Sequence, residues 1–191
     1  MHQKLKETDG PMEAESHTFN WRSLTGPFAT VLIVIGVMAL ITPQEREARL
    51  EGDLESPVWE LKDLEGNVVR SSDFEGKAVA LDFWATWCGP CIQEIPSFIE
   101  LQKRYEDAGF TVVGVALDDN PQVVQRFISR RDDINYPILF GDAKIQAAFG
   151  GVPFLPTTYL IGKDGKVAFK HVGLTPEATL EENIKELLAT E

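Results

Sequence analysis

A run of strand character, Ala78-Val79-Ala80-Leu81-Asp82-Phe83-Trp84, passes through Ala85-Thr86-Trp87 into Cys88-Gly89-Pro90-Cys91. These are the only two cysteines in the 191-residue chain. Beyond them Ile92, Ile95, Phe98, Ile99, Leu101 and Tyr105 recur at roughly helical spacing. The pair therefore sits where a buried strand ends and a helix begins, with Cys88 at the helix N-terminus. Unpaired backbone N–H groups and the positive end of the helix dipole favour a thiolate there. Cysteines so placed can close an intramolecular disulfide or offer one sulfur as a nucleophile.

The flanking sequence supplies the rest of an α/β domain. Residues 58–61 and 67–70 read as two short strands around the turn Asp63-Leu64-Glu65-Gly66. Pro96 interrupts the helix pattern that follows the cysteines and predicts a kink, and Ala108-Gly109 predicts its end. Residues 110–117 form a buried strand, and Pro121 opens a helix with Val123, Val124, Phe127 and Ile128 on one face. A short strand at 136–140 and a short helix at 142–149 come next. Residues 157–161 and 166–170 flank an Asp164-Gly165 turn and so pair antiparallel. A last helix covers 176–189, with Leu180, Ile184, Leu187 and Leu188 as its apolar face. Strands alternating with helices, then a terminal hairpin and helix, imply a mixed sheet covered on both faces.

Charge and cysteine count exclude several functions. A formal net charge of −12 argues against nucleic acid as a partner, because phosphate binding needs a basic face. Two cysteines are too few for a disulfide-stapled scaffold or a structural zinc site, and the three histidines are scattered. No metal is expected.

The N-terminal third has a different texture. Residues 1–23 are polar, mixed in charge and without periodicity, so a tail is expected. Residues 24–41 carry no charge. As a helix they would span about 27 Å, close to the ~30 Å hydrocarbon core of a bilayer. Arg22 and Arg46 can snorkel towards the two interfaces. A cleaved signal peptide is the rival reading, but the preceding tail is long and Val37-Met38-Ala39 is a poor cleavage site. The expectation is a single-pass anchor at 24–42, a charged linker at 43–55 and a folded domain at 56–191. The Lys and Arg residues flanking the span do not decide its orientation.

The stretch Asp82-Phe83-Trp84-Ala85 through Trp87-Cys88-Gly89-Pro90-Cys91, followed by Pro96, resembles thioredoxin. The wider pattern, with the opening hairpin, the helix around 123–131 and Leu155-Pro156-Thr157-Thr158-Tyr159, resembles the membrane-anchored TlpA/ResA-like proteins. The resemblance covers residue 56 to the C-terminus. It implies a thioredoxin fold with an N-terminal β-hairpin and an inserted helix, and thiol–disulfide exchange with protein cysteines. Cys88 is then the attacking cysteine at the exposed helix end, and Cys91 the more buried resolving one. No cofactor is implied beyond the redox-active Cys88–Cys91 disulfide.

Asp82 matches thioredoxin's buried acid, and inside the domain it would have a raised pKa and accept a proton from Cys91. Glu94 matches an acid near the site of ResA-like members, with a solvated surface residue as the alternative. Pro156 is the expected cis-proline facing the cysteines, with Pro153 as rival, and Leu155 offers its backbone to an extended substrate. Gly89 and Pro90 let a partner approach, and Trp87 presents a flat surface beside Cys88. The family further implies a monomer whose domain lies outside the cytoplasm. Such a reductant, in cytochrome c maturation for example, needs recharging by a membrane electron donor.

Two other classes compete. A thiol peroxidase of the peroxiredoxin type shares the fold, but its Pro-x-x-x-Thr-x-x-Cys context is missing ahead of Cys88. A non-enzymatic binding module of the same fold would leave Cys88 unreactive.

Overall fold

The computed structural model describes residues 54–118 and 120–190. The expected tail, the anchor and all but the last two residues of the linker lie outside them. Among the described residues no helix is long and apolar enough to cross a membrane.

Seven strands form one sheet: β1 (Glu60–Asp63), β2 (Val68–Arg70), β3 (Ala78–Trp84), β4 (Phe110–Ala116), β5 (Ile138–Phe140), β6 (Thr157–Ile161) and β7 (Val167–Val172). Their order across the sheet is β2-β1-β5-β4-β3-β6-β7. The centre, β5-β4-β3, is parallel, and the remaining pairings are antiparallel. Among the described residues four α-helices flank it: α1 (Gly89–Tyr105), α2 (Pro121–Ile128), α3 (Ala143–Ala148) and α4 (Glu177–Ala189). The mixed sheet expected from the sequence is present, with both hairpins antiparallel.

Every residue of β3 and β4 is buried. Apolar runs without alternation require this, since both faces of the strand must be covered. Val79, Leu81 and Phe83 point to one side, where they meet Ile145 of α3 and Phe149. Ala78 and Ala80 point to the other, under Phe98 and Leu101 of α1 and Leu180 and Ile184 of α4. Each such fully buried large side chain contributes roughly 1.5–3 kcal/mol by leaving water. By the same alternation Asp82 faces the α1 side.

Where β4 runs beyond the end of short β5, the buried side chain of Gln102 replaces a strand. Its Oε1 accepts the Val112 N–H at 2.7 Å. Gly114 carries no side chain for a steric reason. A Cβ there would lie 2.7 Å from Ile138 Cδ1 and 3.2 Å from Trp84 Nε1. Bare backbone lets Trp84 lie against β4.

Differences from the sequence expectation are local. The first strand starts at Glu60, because pairing begins with Glu60 opposite Arg70. Val58, placed in that strand by its apolar character, is 90% exposed. Helix α1 continues through Pro96, and its α-helical part stops at Tyr105, short of the expected end; a 3-10 turn, Glu106–Ala108, carries it on to the expected stop at Gly109, φ 88°. Positive φ there suits glycine alone.

Candidate active site

The C-terminal ends of β3 and β4 and the start of α1 converge on one cluster: Trp84, Ala85, Cys88, Cys91, Ile95, Ala116, Val124 and Ile138. Open α/β sheets place their reactive groups at this end of the parallel strands. Cys88 and Cys91 form a disulfide, with Cα atoms 5.3 Å apart. Cys88 is the N-cap of α1, and the Cys91 N–H points at its Sγ from 3.3 Å. That donor and the helix dipole would stabilise negative charge on Cys88 once the disulfide is reduced.

Exposure differs from the expectation for Cys88. As a disulfide it is 5% exposed, against 2% for Cys91, because both sulfurs pack within the cluster. The residues around it provide the open surface. Trp87 is 72% exposed, and Gly89 and Pro90 are also exposed.

Two buried carboxylates come from the same two elements, Asp82 from β3 and Glu94 from α1 one turn beyond Cys91. Asp82 is buried and accepts a hydrogen bond from the Thr158 hydroxyl at 3.1 Å. Burial, followed by repulsion from Glu94, pushes its pKa well above the usual carboxylate range, against the opposing Thr158 bond. Glu94 is also buried, so the surface alternative does not hold. Its Oε1 accepts the Thr175 N–H at 2.6 Å, while Oε2 is buried without a partner. Burial raises its pKa to about 7, with the Thr175 bond opposing the rise. Two acids that disfavour each other's charge beside a dithiol can take up and return protons near neutral pH. Tyr136 has its own pKa raised by burial and then by the charge of Asp82.

Facing the disulfide is the loop ahead of β6. The Leu155–Pro156 peptide is cis, and Leu155 packs against the cluster that holds both cysteines. The neighbouring Phe154 is 65% exposed. The Pro156 carbonyl accepts the Gly173 N–H at 2.8 Å, which ties the loop to residues 173–175 and so to Glu94. Exposed Val172 and Leu174 flank Gly173. Trp87, Phe154, Val172 and Leu174 thus give this end of the molecule an apolar surface.

One positioning contact had no signal in the sequence. The Asp118 carboxylate accepts both the backbone N–H of Thr86, at 3.0 Å, and its hydroxyl, at 2.5 Å. It fixes the loop that carries Trp87 and Cys88 to the end of β4. His171, the one histidine among the described residues, is buried and hydrogen-bonded to Asn183 at 3.0 Å. Among the described residues no three His, Cys, Asp or Glu side chains are placed to hold a metal ion.

Comparison with known proteins agrees with this geometry. The AhpC/TSA family matches residues 54–170. A thiol-disulfide oxidoreductase ResA from Bacillus thuringiensis subsp. konkukian is 34% identical over 161 residues, covering 82% of this chain and 92% of its own. The thioredoxin-like protein YneN of Bacillus subtilis is 31% identical, covering 75% of this chain and 84% of its own.

Among solved structures, a Chlorobium tepidum protein provisionally described as thiol:disulfide interchange protein DsbE superposes with a TM-score of 0.68. It is 35% identical and covers 73% of this chain and 99% of its own. The pneumococcal exposed lipoprotein thioredoxin Etrx1 has a TM-score of 0.62 at 29% identity, covering 69% of this chain and 100% of its own. The sheet and helices described above are those of the thioredoxin fold.

Proposed function

Because this chain belongs to the AhpC/TSA family and is a thiol–disulfide oxidoreductase of the ResA and DsbE type, we propose that it works as a membrane-tethered reductant of protein disulfides outside the cytoplasm. The observation that carries the chemistry is the Cys88–Cys91 disulfide at the start of α1, packed with Leu155 of the cis-proline loop, with two buried acids on the elements that join at it.

In the reduced protein the Cys88 thiolate attacks a substrate disulfide. One substrate sulfur stays bonded to Cys88, and the other leaves as a thiolate. Cys91 gives its proton to Asp82 and attacks Cys88 Sγ. The Cys88–Cys91 bond forms, the mixed disulfide breaks, and the second substrate sulfur departs. Two electrons pass to the substrate, whose sulfurs finish as thiols on taking up two protons. Glu94, the second buried acid, holds or passes on the proton received by Asp82. Leu155 offers backbone to an extended substrate segment, Trp87 and the Gly89-Pro90 edge admit its side chains, and Pro156 holds the loop against the cysteines.

The tether rests on the uncharged run 24–41. A location outside the cytoplasm rests on that run and on a relative described as an exposed lipoprotein. The protein acts as a monomer and is recharged by a membrane electron donor. Cytochrome c maturation is the pathway suggested by its likeness to ResA. Trapping tests the proposal: a Cys91→Ala chain in its native membrane should accumulate mixed disulfides on Cys88. Mass spectrometry should find partners with cysteines outside the cytoplasm. Partners that are all cytoplasmic would refute the location, and no partner at all would refute the exchange.

A further inference from the structure

Beside the active site lies a cationic groove on a strongly acidic protein. It is lined by Thr86, Val123, Arg126, Phe127, Arg130 and Arg131. Its floor belongs to the catalytic cluster, since Phe127 packs there with its ring centroid 5.5 Å from that of Trp84. Its near wall is Thr86, two residues before Cys88. Three arginines from α2 and the turn after it form the rest.

Their environments differ. Arg131 is neutralised by Asp133 at 3.1 Å and lies over the Phe127 ring at 5.9 Å. Arg126 is held by its Nε donating to the Gln122 carbonyl at 3.2 Å, which leaves its charge uncompensated. Among the described residues no carboxylate lies within ion-pair distance of Arg126 or Arg130, and both are exposed. Asp118, at the end of β4, has both oxygens engaged by Thr86. With 30 acidic against 18 basic residues in the chain, unpaired cations beside the reactive sulfur are the local exception.

We propose that this groove selects substrates: it receives an acidic segment of the partner polypeptide next to the cysteine that reacts with Cys88. The reading rests on the thiol–disulfide exchange proposed above. A polypeptide occupant is favoured because the groove's wall, Thr86, belongs to the loop that carries Cys88, and its floor, Phe127, packs on Trp84 beside the site that must hold a polypeptide cysteine. Its apolar floor suits side-chain stems, and its two unpaired guanidiniums suit carboxylates. The bulk charge of −12 repels acidic partners in general, so the groove also fixes the one orientation in which such a partner can approach.

The test uses the reduced full chain and three synthetic disulfide peptides that differ only in a flank of four Glu, four Gln or four Lys. Second-order reduction rates are measured at low and high salt. At low salt the Glu peptide should react about three- to tenfold faster than the Gln peptide, and the ratio should fall towards one in high salt. The Arg126→Gln/Arg130→Gln double variant should abolish the ratio, whereas Lys77→Gln, at the opposite end of β3, should keep it. Equal Glu and Gln rates, or a ratio that survives the double variant, would overturn the groove alone. So would arginine-dependent binding to anionic vesicles with no peptide preference. If no peptide reacts, the exchange reading fails and the groove assignment falls with it.

Discussion

The carboxylate of Glu94, one turn beyond Cys91 on α1, accepts the backbone N–H of Thr175 at 2.6 Å while its other oxygen is buried and unpartnered. This contact joins the helix that carries the cysteines to the loop that leads into α4. It also places an acid with a pKa of about 7 behind the disulfide.

The first prediction concerns stability and pH. The folded-state pKa of Glu94 is raised from 4.5 to about 7, so the folded protein binds this proton more tightly than the unfolded chain. The penalty for ionising Glu94 is absent below about pH 4.5, grows as pH rises, and is complete above about pH 7. Glu94→Gln removes it. Denaturant unfolding of the oxidised protein should show the variant more stable than the parent at pH 8, by about 3 kcal/mol. The two should converge near pH 4. A variant equally destabilised at both pH values would contradict this assignment.

Asp82 supplies the second prediction. Asp82→Asn removes the proton acceptor but keeps a side chain that can bond Thr158. Decay of the mixed disulfide near neutral pH should slow about a hundredfold or more. Alkylation of Cys88 should proceed at nearly the parental rate. Stopped-flow decay indistinguishable from the parent would remove Asp82 from the mechanism.

A third concerns the loop ahead of Cys88. Asp118→Ala leaves the Thr86 N–H and hydroxyl without their acceptor. Stability should fall by about 1–3 kcal/mol. The rate of the first attack should fall with it, because Trp87 and Cys88 lose their fixed position. Asp118→Asn, which keeps an acceptor oxygen, should recover part of both.

Gln102 separates stability from chemistry. Gln102→Leu orphans the Val112 N–H in the core and should cost about 1–3 kcal/mol in denaturant unfolding. The exchange rate of the folded protein should be unchanged, since Gln102 lies three turns along α1 from Cys91.

These residues also mark what could be read from the chain. The junction of β3, the cysteines and α1 was legible because an apolar run of seven residues gives way to a helical repeat. The strands around it followed from turn chemistry at Gly66 and at Asp164-Gly165. Burial of Glu94 and Gln102 was in principle legible too. Cys91, Glu94, Ile95, Phe98, Leu101 and Gln102 follow the three- and four-residue spacing of one helix face, so both polar residues fall in the buried stripe.

Polarity argued the other way, and only tertiary partners resolve it: the Thr175 amide, 81 positions from Glu94, and the Val112 amide in the next strand. The Thr86–Asp118 contact spans 32 positions with no local pattern to announce it. Cys88 is buried in a cluster drawn from β3, β4, β5, α1 and α2, with Leu155 of a distant loop packed against it.

The division of labour between the cysteines is tested most directly by single-turnover reaction of the reduced chain with a disulfide-bridged peptide, resolved by mass spectrometry. The parent should release the dithiol peptide and finish with a Cys88–Cys91 disulfide. Cys91→Ala should stop at a one-to-one adduct on Cys88, and Cys88→Ala should form no adduct at neutral pH. An adduct on Cys91 in the Cys88→Ala chain, formed as fast as the one on Cys88, would contradict the account.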